Sequence, residues 1–140
     1  MSTPAHNKKL VETLCMTVFQ KHDFSHLDEI MRDDYIQHNE DTPQGKTGFI
    51  EFFEQMFKAM PDFNYTIKKI VAEGDIVMMY STTTATHSGE WLGNPPTGNK
   101  LNFDVVDIFR IQNGKIAEHW DVADTLKLFT QVGKIKQSYV

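Results

Sequence analysis

Several features that would mark particular protein classes are scarce in this 140-residue sequence. A single cysteine, Cys15, excludes a disulfide framework and a zinc cluster built from several cysteines within one chain. No apolar run approaches the roughly 20 residues that a membrane-spanning helix needs. Residues 1–6 lack the apolar stretch of a signal peptide. These absences predict a protein without a membrane span, located in the reducing environment of the cytoplasm.

The sequence also lacks an excess of positive charge. Fourteen Lys and Arg against 19 Asp and Glu give a net charge of −5, and an acidic surface repels phosphate backbones and anionic membranes. We therefore expect no nucleic-acid or membrane partner. With 40% hydrophobic residues the composition is globular, and the length predicts one domain over residues 1–140. Such a chain buries roughly two thirds of its unfolded surface, enough for a core and one pocket.

The first half of the sequence has the periodicity of helices. Apolar residues three and four apart predict an amphipathic helix over residues 7–21, and a short second helix extends to residue 31. A third helix covers residues 46–59 and ends before Pro61, because the residue before a proline avoids helical geometry. Residues 35–39 between the second and third helices predict a short strand.

The second half alternates apolar and polar residues, as strands do. Strands are predicted over residues 63–71, 76–87, 101–111 and 116–123, and Asn113-Gly114 joins the last two as a hairpin. Residues 88–99 predict a loop with Trp91 turned inward. Three helices followed by a strand meander predict an α+β domain, in which helices cover one face of a curved antiparallel sheet. The hollow of such a sheet is a site for a small ligand.

The densest polar cluster predicted to face this hollow lies on the last two strands. His119 and Asp121 share a face because residues two apart on a strand point the same way, while Trp120 points away. The position of Asp107 depends on the turn. A strict two-residue loop pairs it with Trp120, whereas one extra residue, with Gly114 in a bulge, puts it on the face of His119.

These residue types suit proton transfer. A carboxylate in an apolar pocket loses solvation, which raises its pKa and makes it a usable base, and a neighbouring imidazole can stabilise an oxyanion. The alternative is a pair of rim residues that only bond backbone groups. Of His38 and Asn39, neighbours on a strand, one is expected to face inward. His38, His119 and Asp121 would suit iron or zinc, but no close spacing supports a metal site, and none is predicted.

Residues 86–124, including HSGEWLGNPPTG and VDIFRIQNGKIAEHWDV, closely resemble the SnoaL-like polyketide cyclases of the nuclear transport factor 2-like superfamily. Residues 33–39 and 72–75 are also similar to that family. The resemblance implies a conical barrel made of a strongly curved, mostly antiparallel sheet closed by three N-terminal helices. It further implies a deep pocket and a homodimer packed through the outer sheet face, with Trp120 and Phe103 as the expected contacts.

The resemblance also implies roles for individual residues. Asp121 matches the aspartate that acts as acid and base in an intramolecular aldol closure without metal or cofactor, and His119 lies beside it. Similarity to ketosteroid isomerases places Asp107 at the position of an acid that stabilises an oxyanion. The predicted catalytic residues are thus Asp121 and His119. The predicted substrate-binding residues are Asp107, His38, Asn39, Phe109 and Trp91.

The sequence departs from the isomerase pattern in two places. Asn39 stands where the isomerases have a proton-shuttling aspartate, and Cys15 stands where they have an oxyanion tyrosine. Both departures argue against steroid isomerisation. The predicted function is cofactor-independent acid–base chemistry on a hydrophobic carbonyl compound, in which Asp121 removes a proton and His119 with Asp107 stabilises the enolate. The alternatives are a non-catalytic binding domain, or a hydrolase, dehydratase or isomerase that uses the same pocket.

Overall fold

A computed structural model describes residues 3–135, which form four helices and a five-stranded sheet. The helices are α1 (Pro4–Leu14), α2 (Leu27–Ile30), α3 (Gly45–Ala59) and α4 (Thr125–Gln131), and a π-helical segment, Cys15–Gln20, continues α1. The strands are β1 (Met31–Gln37), β2 (Asn64–Glu73), β3 (Ile76–Thr86), β4 (Lys100–Gln112) and β5 (Lys115–Ala123). None of the helices in this range has the length and apolar character needed to cross a bilayer.

The α+β fold predicted from the sequence is confirmed, with two differences in its elements. Strand β1 begins at Met31, where the second helix was expected to continue, because that helix has one turn only. Helix α4 was not predicted, since seven residues carry little periodic signal. It begins where the Asp124 carboxylate accepts the Lys127 backbone N–H at 3.2 Å, which satisfies one of the free donors of its first turn.

The sheet is curved and open, with strand order β1-β5-β4-β3-β2. Strand β1 pairs with β5 in parallel, and the other three pairings are antiparallel. The register shifts between Ile67 and Lys69 of β2 and between Arg110 and Ile111 of β4. Such irregularities bend and twist strands, which helps to curve the sheet. The barrel is therefore closed by helices rather than by a fifth pairing, between β1 and β2.

The core fills the space between the helices and the concave face of the sheet. Val11, Leu14 and Val18 recur at helical spacing and are fully buried, as the predicted amphipathic stripe requires. Each such side chain contributes about 1.5–3 kcal/mol of transfer free energy when it leaves water. No helix in the described part of the chain covers the convex face of the sheet, and Val71, 62% exposed, and Val122, 69% exposed, lie on it.

Candidate active site

The β4–β5 hairpin is joined by a strict two-residue turn. Asn113 and Gly114 both have positive φ, 52° and 75°, and their neighbours Gln112 and Lys115 are paired. Asn-Gly tolerates these angles because asparagine and glycine enter the left-handed region at low cost, and the resulting turn matches the twist of the strands. Gly114 therefore belongs to the turn and not to a bulge, which corrects one of the two arrangements considered above.

The extra residue is Ala117 in β5. Ile111 pairs with Ile116, but Arg110 pairs with Glu118, so that Ala117 has no partner of its own. This bulge shifts the register by one residue and places Asp107 opposite Asp121. It also places Phe109 opposite His119. All four side chains consequently face the concave side, as one of the two predicted arrangements requires.

The imidazole of His119 lies between two polar side chains. Its Nε2 is 2.7 Å from Oδ1 of Asp107, and its Nδ1 is 2.8 Å from Oε1 of Gln37. The side chains of His119 and Asp107 are each 10% exposed. Gln37 comes from the last position of β1, which reaches His119 because β1 pairs in parallel with β5 and Gln37 is the partner of His119. Both ring nitrogens thus have a partner within the protein.

Gln37 is held in turn by two further hydrogen bonds of its side chain and by contacts of its backbone with Gln44. Its Oε1 accepts the backbone N–H of Asn39 at 3.1 Å, and its Nε2 donates to the hydroxyl of Tyr35 at 2.8 Å. The backbone N–H of Gln37 donates to Oε1 of Gln44 at 3.0 Å. The Gln37 side chain is buried, so its position at the ring of His119 is fixed by groups on both sides.

Asp107 has a second donor on its other oxygen. The hydroxyl of Tyr65, on β2, donates to Oδ2 of Asp107 at 2.7 Å. Burial, and then the charge of Asp107, raise the pKa of Tyr65 well above its ordinary value, so this hydroxyl keeps its proton. Asp107 is therefore held by one imidazole and one phenol, and no lysine or arginine among residues 3–135 forms a salt bridge with it.

Asp121 is held separately, at the mouth of the cavity. The amide Nδ2 of Asn39 donates to both of its oxygens, at 2.9 and 3.2 Å. Asp121 is half-buried, and its carboxylate makes no direct hydrogen bond to His119 among residues 3–135. The amide of Asn39 is neutral and does not take up a proton, so Asp121 is the stronger base of the two. Asp107 is already bonded by His119 and Tyr65, and Asp121 is therefore the carboxylate available to a ligand.

The cavity beside these groups has a volume of about 120 Å³. Asp107, His119, Asp121 and Asn39 line one wall, together with Gln37 and Tyr65. Half of the remaining lining residues are aromatic, namely Phe19, Phe49, Phe52, Phe53, Phe63, Phe103, Phe109, Phe129 and Trp91. Trp91 is 5% exposed and turns inward from the loop after β3, as predicted. Such a site favours a largely apolar ligand with a few polar atoms.

His38 does not line this cavity, contrary to its expected substrate-binding position. Its ring stacks on Trp120 with centroids 4.8 Å apart, and its Nε2 is 2.6 Å from Oε2 of Glu118 on the convex face. The reason is the alternation of the strand, since Gln37 and Asn39 take the inward positions on either side. Of the two neighbours considered, Asn39 is therefore the inward one.

Phe103 corrects a second expectation. It was expected to point outward as a dimer contact, but it is 7% exposed and lies in the cavity wall. Phe103 shares the concave face with Asp107 and Phe109, because β4 is regular from Phe103 to Phe109 and residues two apart on a strand point the same way. Trp120 does point outward, where the ring of His38 partly covers it.

Three ligating groups lie close enough together to be considered as a metal site. Asp107, His119 and Asp121 each offer one ligand atom, and these atoms lie within 4.8 Å of one another. His38 cannot join them because it lies on the other face, so the combination of His38, His119 and Asp121 that was considered from the sequence does not form. A metal bound to His119 would have to displace either Asp107 or Gln37 from the ring.

Two residues of the site were not singled out in the sequence. Gln37 lies two residues before Asn39, and the same strand periodicity that selected Asn39 places it on the same face. Tyr65 alternates with Phe63 on the buried face of β2, where its hydroxyl distinguishes it from the surrounding apolar residues. Neither pattern predicts that Gln37 contacts His119 or that Tyr65 contacts Asp107, because those contacts join strands that are far apart in the sequence.

Comparison with known proteins gives a family match over most of the chain. The family model described as SnoaL-like polyketide cyclase matches residues 9–132. A search of curated proteins finds no significant match.

Several solved structures are similar to this one. AclR from Streptomyces galilaeus, described as a candidate hydroxylase, is 31% identical, with 98% of this chain and 87% of that chain covered and a TM-score of 0.84. TsrD from Streptomyces laurentii is 28% identical, with coverages of 96% and 100% and a TM-score of 0.85. IdmH from Streptomyces antibioticus, described as a candidate polyketide cyclase, is 26% identical, with coverages of 91% and 98% and a TM-score of 0.75.

Proposed function

Because the chain belongs to the SnoaL-like polyketide cyclase family, we propose that it is a cofactor-independent acid–base enzyme for ring closure of a hydrophobic carbonyl compound. The observation that carries this proposal is the position of Asp121. Its carboxylate contacts the neutral amide of Asn39, at 2.9 Å, and opens on an aromatic cavity. A base in this position meets a carbonyl substrate without a competing cation.

The proposed reaction is an intramolecular aldol closure. Asp121 removes a proton from the carbon next to one carbonyl group, and the resulting enolate forms a carbon–carbon bond to a second carbonyl. Asp121 then returns its proton to the new alkoxide, so that protons balance over the cycle. His119 and Asp107, whose ligating atoms lie within 4.8 Å of that of Asp121, are placed to stabilise the enolate oxygen.

The test uses an aryl methyl diketone whose two carbonyl groups are separated by three methylene carbons. Ring closure from its methyl carbon gives a six-membered hydroxyketone, and loss of water from that product gives an enone that absorbs in the ultraviolet. Asp121→Asn keeps the shape of the side chain and removes the base, so we expect kcat/KM to fall by about 10² or more. The matched control is Glu118→Gln, an acid-to-amide change on the other face of the same strand, which should leave the rate unchanged. An Asp121→Asn variant with the wild-type rate would contradict the proposal.

A non-catalytic binding domain is distinguished by a fluorescence measurement. The variant Trp120→Phe retains a single tryptophan, Trp91, in the cavity wall. Quenching of Trp91 by the aryl diketone, without any ring closure above background, would favour a binding domain.

Hydroxylation is a second candidate function, favoured by the 31% identity to AclR, which is described as a candidate hydroxylase. A hydroxylated product is one oxygen atom heavier than the substrate, whereas aldol closure adds no atoms. Mass spectrometry of the product, formed in the presence of oxygen and a reductant, separates the two reactions.

We expect the reaction to need no metal ion. Dialysis of the purified protein against a chelator should leave the rate of ring closure unchanged. Loss of activity that is restored by Zn²⁺ or Fe²⁺ would instead assign Asp107, His119 and Asp121 to a metal centre.

A homodimer packed through the convex face of the sheet is part of the proposal. Val122, Val71 and Met78 are exposed there, and no helix among residues 3–135 covers them. Light scattering should give twice the chain mass of 16.1 kDa. Val122→Glu, which puts a charge on this surface, should give the single-chain mass. A wild-type protein of 16.1 kDa at micromolar concentration would contradict the dimer.

A further inference from the structure

The amide of Gln37 has one allowed orientation, and this fixes the protonation of its neighbour. The backbone N–H of Asn39 can only donate a hydrogen bond, so the Gln37 atom 3.1 Å from it is the oxygen Oε1. Oε1 also lies 2.8 Å from Nδ1 of His119. A carbonyl oxygen can only accept, and therefore Nδ1 of His119 carries a proton.

We propose that Gln37 is a positioning residue that holds His119 as the Nδ1–H tautomer and thereby keeps a proton between His119 and Asp107. A neutral imidazole has one N–H, so with Nδ1 protonated its Nε2 presents a lone pair. Nε2 and Oδ1 of Asp107 are 2.7 Å apart, a distance at which two lone pairs repel unless a proton lies between them. That proton belongs either to an imidazolium or to a carboxylic acid.

The consequence is a pair with no net charge beside an ionised base. Tyr65 keeps its own proton and donates to Oδ2 of Asp107, so it supplies none to the contact with His119. With its shared proton the Asp107–His119 pair is neutral overall, and Asp121 then carries the negative charge at this wall of the cavity. In the reaction proposed above, on which this role rests, the shared proton lies next to the oxygen that becomes negative.

The tautomer itself can be measured without any substrate. Nitrogen NMR of the full chain, labelled at its six histidines, reports which ring nitrogen carries a directly bonded proton, and His119→Asn assigns the His119 signals by their loss. We expect a proton on Nδ1 of His119 in the wild type. A wild-type spectrum with the proton on Nε2 and a bare Nδ1 would overturn the proposal, even if no variant folds.

Three variants identify Gln37 as the cause. Gln37→Leu removes the acceptor, so His119 should change to the Nε2–H tautomer and donate to an ionised Asp107. Gln37→Glu restores an acceptor at the same position and should keep the Nδ1–H. Gln44→Leu is the matched control, since Gln44 hydrogen-bonds the backbone N–H and C=O of Gln37 and makes no hydrogen bond to its side chain. An unchanged tautomer in Gln37→Leu would overturn the role of Gln37.

Ring closure of the aryl diketone adds a second readout. Gln37→Leu should lower kcat by about 10- to 100-fold with little change in KM, in the range found when outer hydrogen-bond partners of a site are lost, and Gln37→Glu should recover most of it. If Asp121→Asn keeps the wild-type rate while the tautomer shifts as expected, the proposed reaction fails and the assignment of Gln37 stands. If the tautomer does not shift, the assignment fails whatever the rates.

Discussion

Two histidine–carboxylate pairs lie on opposite faces of β5, and they have nearly the same geometry. Inside, His119 is 2.7 Å from Asp107, and both side chains are 10% exposed. Outside, His38 is 2.6 Å from Glu118, with side chains 41% and 16% exposed. Distance alone does not separate them. Their other partners do.

The outer carboxylate already has a cation. Arg110 donates to Glu118 at 2.8 Å, and this hydrogen bond, followed by the one from His38, lowers the pKa of Glu118 below its ordinary value. The inner carboxylate has the phenol of Tyr65 instead, which supplies a hydrogen bond but no charge. Water also reaches the outer pair. Similar contacts thus form an exposed surface bridge in one place and a buried pair without a neighbouring cation in the other, according to what surrounds them.

The largest expected difference follows from removing each histidine. His119→Ala leaves Asp107 buried with one partner, and the loss of one member of such a pair costs about 3–5 kcal/mol of unfolding free energy. Urea denaturation measures this value. A loss below about 1 kcal/mol would mean that the inner pair is no more coupled than a surface bridge.

Removing a hydroxyl should give a smaller effect that again depends on the face. Tyr65→Phe leaves one oxygen of a buried carboxylate without its donor, which costs about 1–3 kcal/mol. The outer counterpart is Tyr80, whose hydroxyl donates to Asp104 at the same distance of 2.7 Å. Tyr80→Phe should cost less, because water replaces the lost donor. Equal losses in urea denaturation would contradict the difference between the two faces.

The outer histidine should contribute little to stability. His38→Ala removes an exposed pair, so we expect a loss of roughly 0–1 kcal/mol that shrinks as salt is added. Thermal denaturation at low and high ionic strength tests this. A salt-independent loss would instead assign the contribution of His38 to its stacking on Trp120.

The smallest effect concerns pH. The folded-state pKa of Glu118 is lowered from 4.5, so its contribution to stability is present above that value and is lost as the pH falls through the folded-state pKa. The stability difference between wild type and Glu118→Gln should therefore shrink between about pH 6 and pH 3. A difference that stays constant over this range would show that the bridge to Arg110 does not act through the charge of Glu118.

Much of the fold could be predicted because its periodicities are local. The stripe of Val11, Leu14 and Val18 and the alternation in β2 to β5 depend on neighbours within one element. The start of β1 at Met31 could not be predicted in this way, since its ladder is parallel and its partner, Ile116, lies in the last strand. Helix α4 is too short for its period to be recognised.

In the site too, features set within one strand could be predicted, and contacts between distant strands could not. His119 and Asp121 could be placed on one face by their spacing, and a family resemblance pointed to their chemistry. The face of Asp107 depended on whether β5 contains an extra residue, and turn chemistry alone predicted the wrong location for it. The contacts of Gln37 and Tyr65 join β1 and β2 to the centre of the sheet. They follow from the strand order, which the sequence does not display.

Because of the bulge, β5 contains one residue, Ala117, that the ladder with β4 does not need. The ladder is regular on each side of Ala117, and the two sides differ by one residue: Ile111 pairs with Ile116, and Arg110 pairs with Glu118. Deleting Ala117 would therefore close the gap and leave His119 and Asp121 facing the same way. Deleting Trp120 cannot be absorbed in this way, because His119 and Asp121 would then be adjacent in the strand and would point to opposite faces. We therefore expect β5 to tolerate the loss of one residue at Ala117 but not at Trp120.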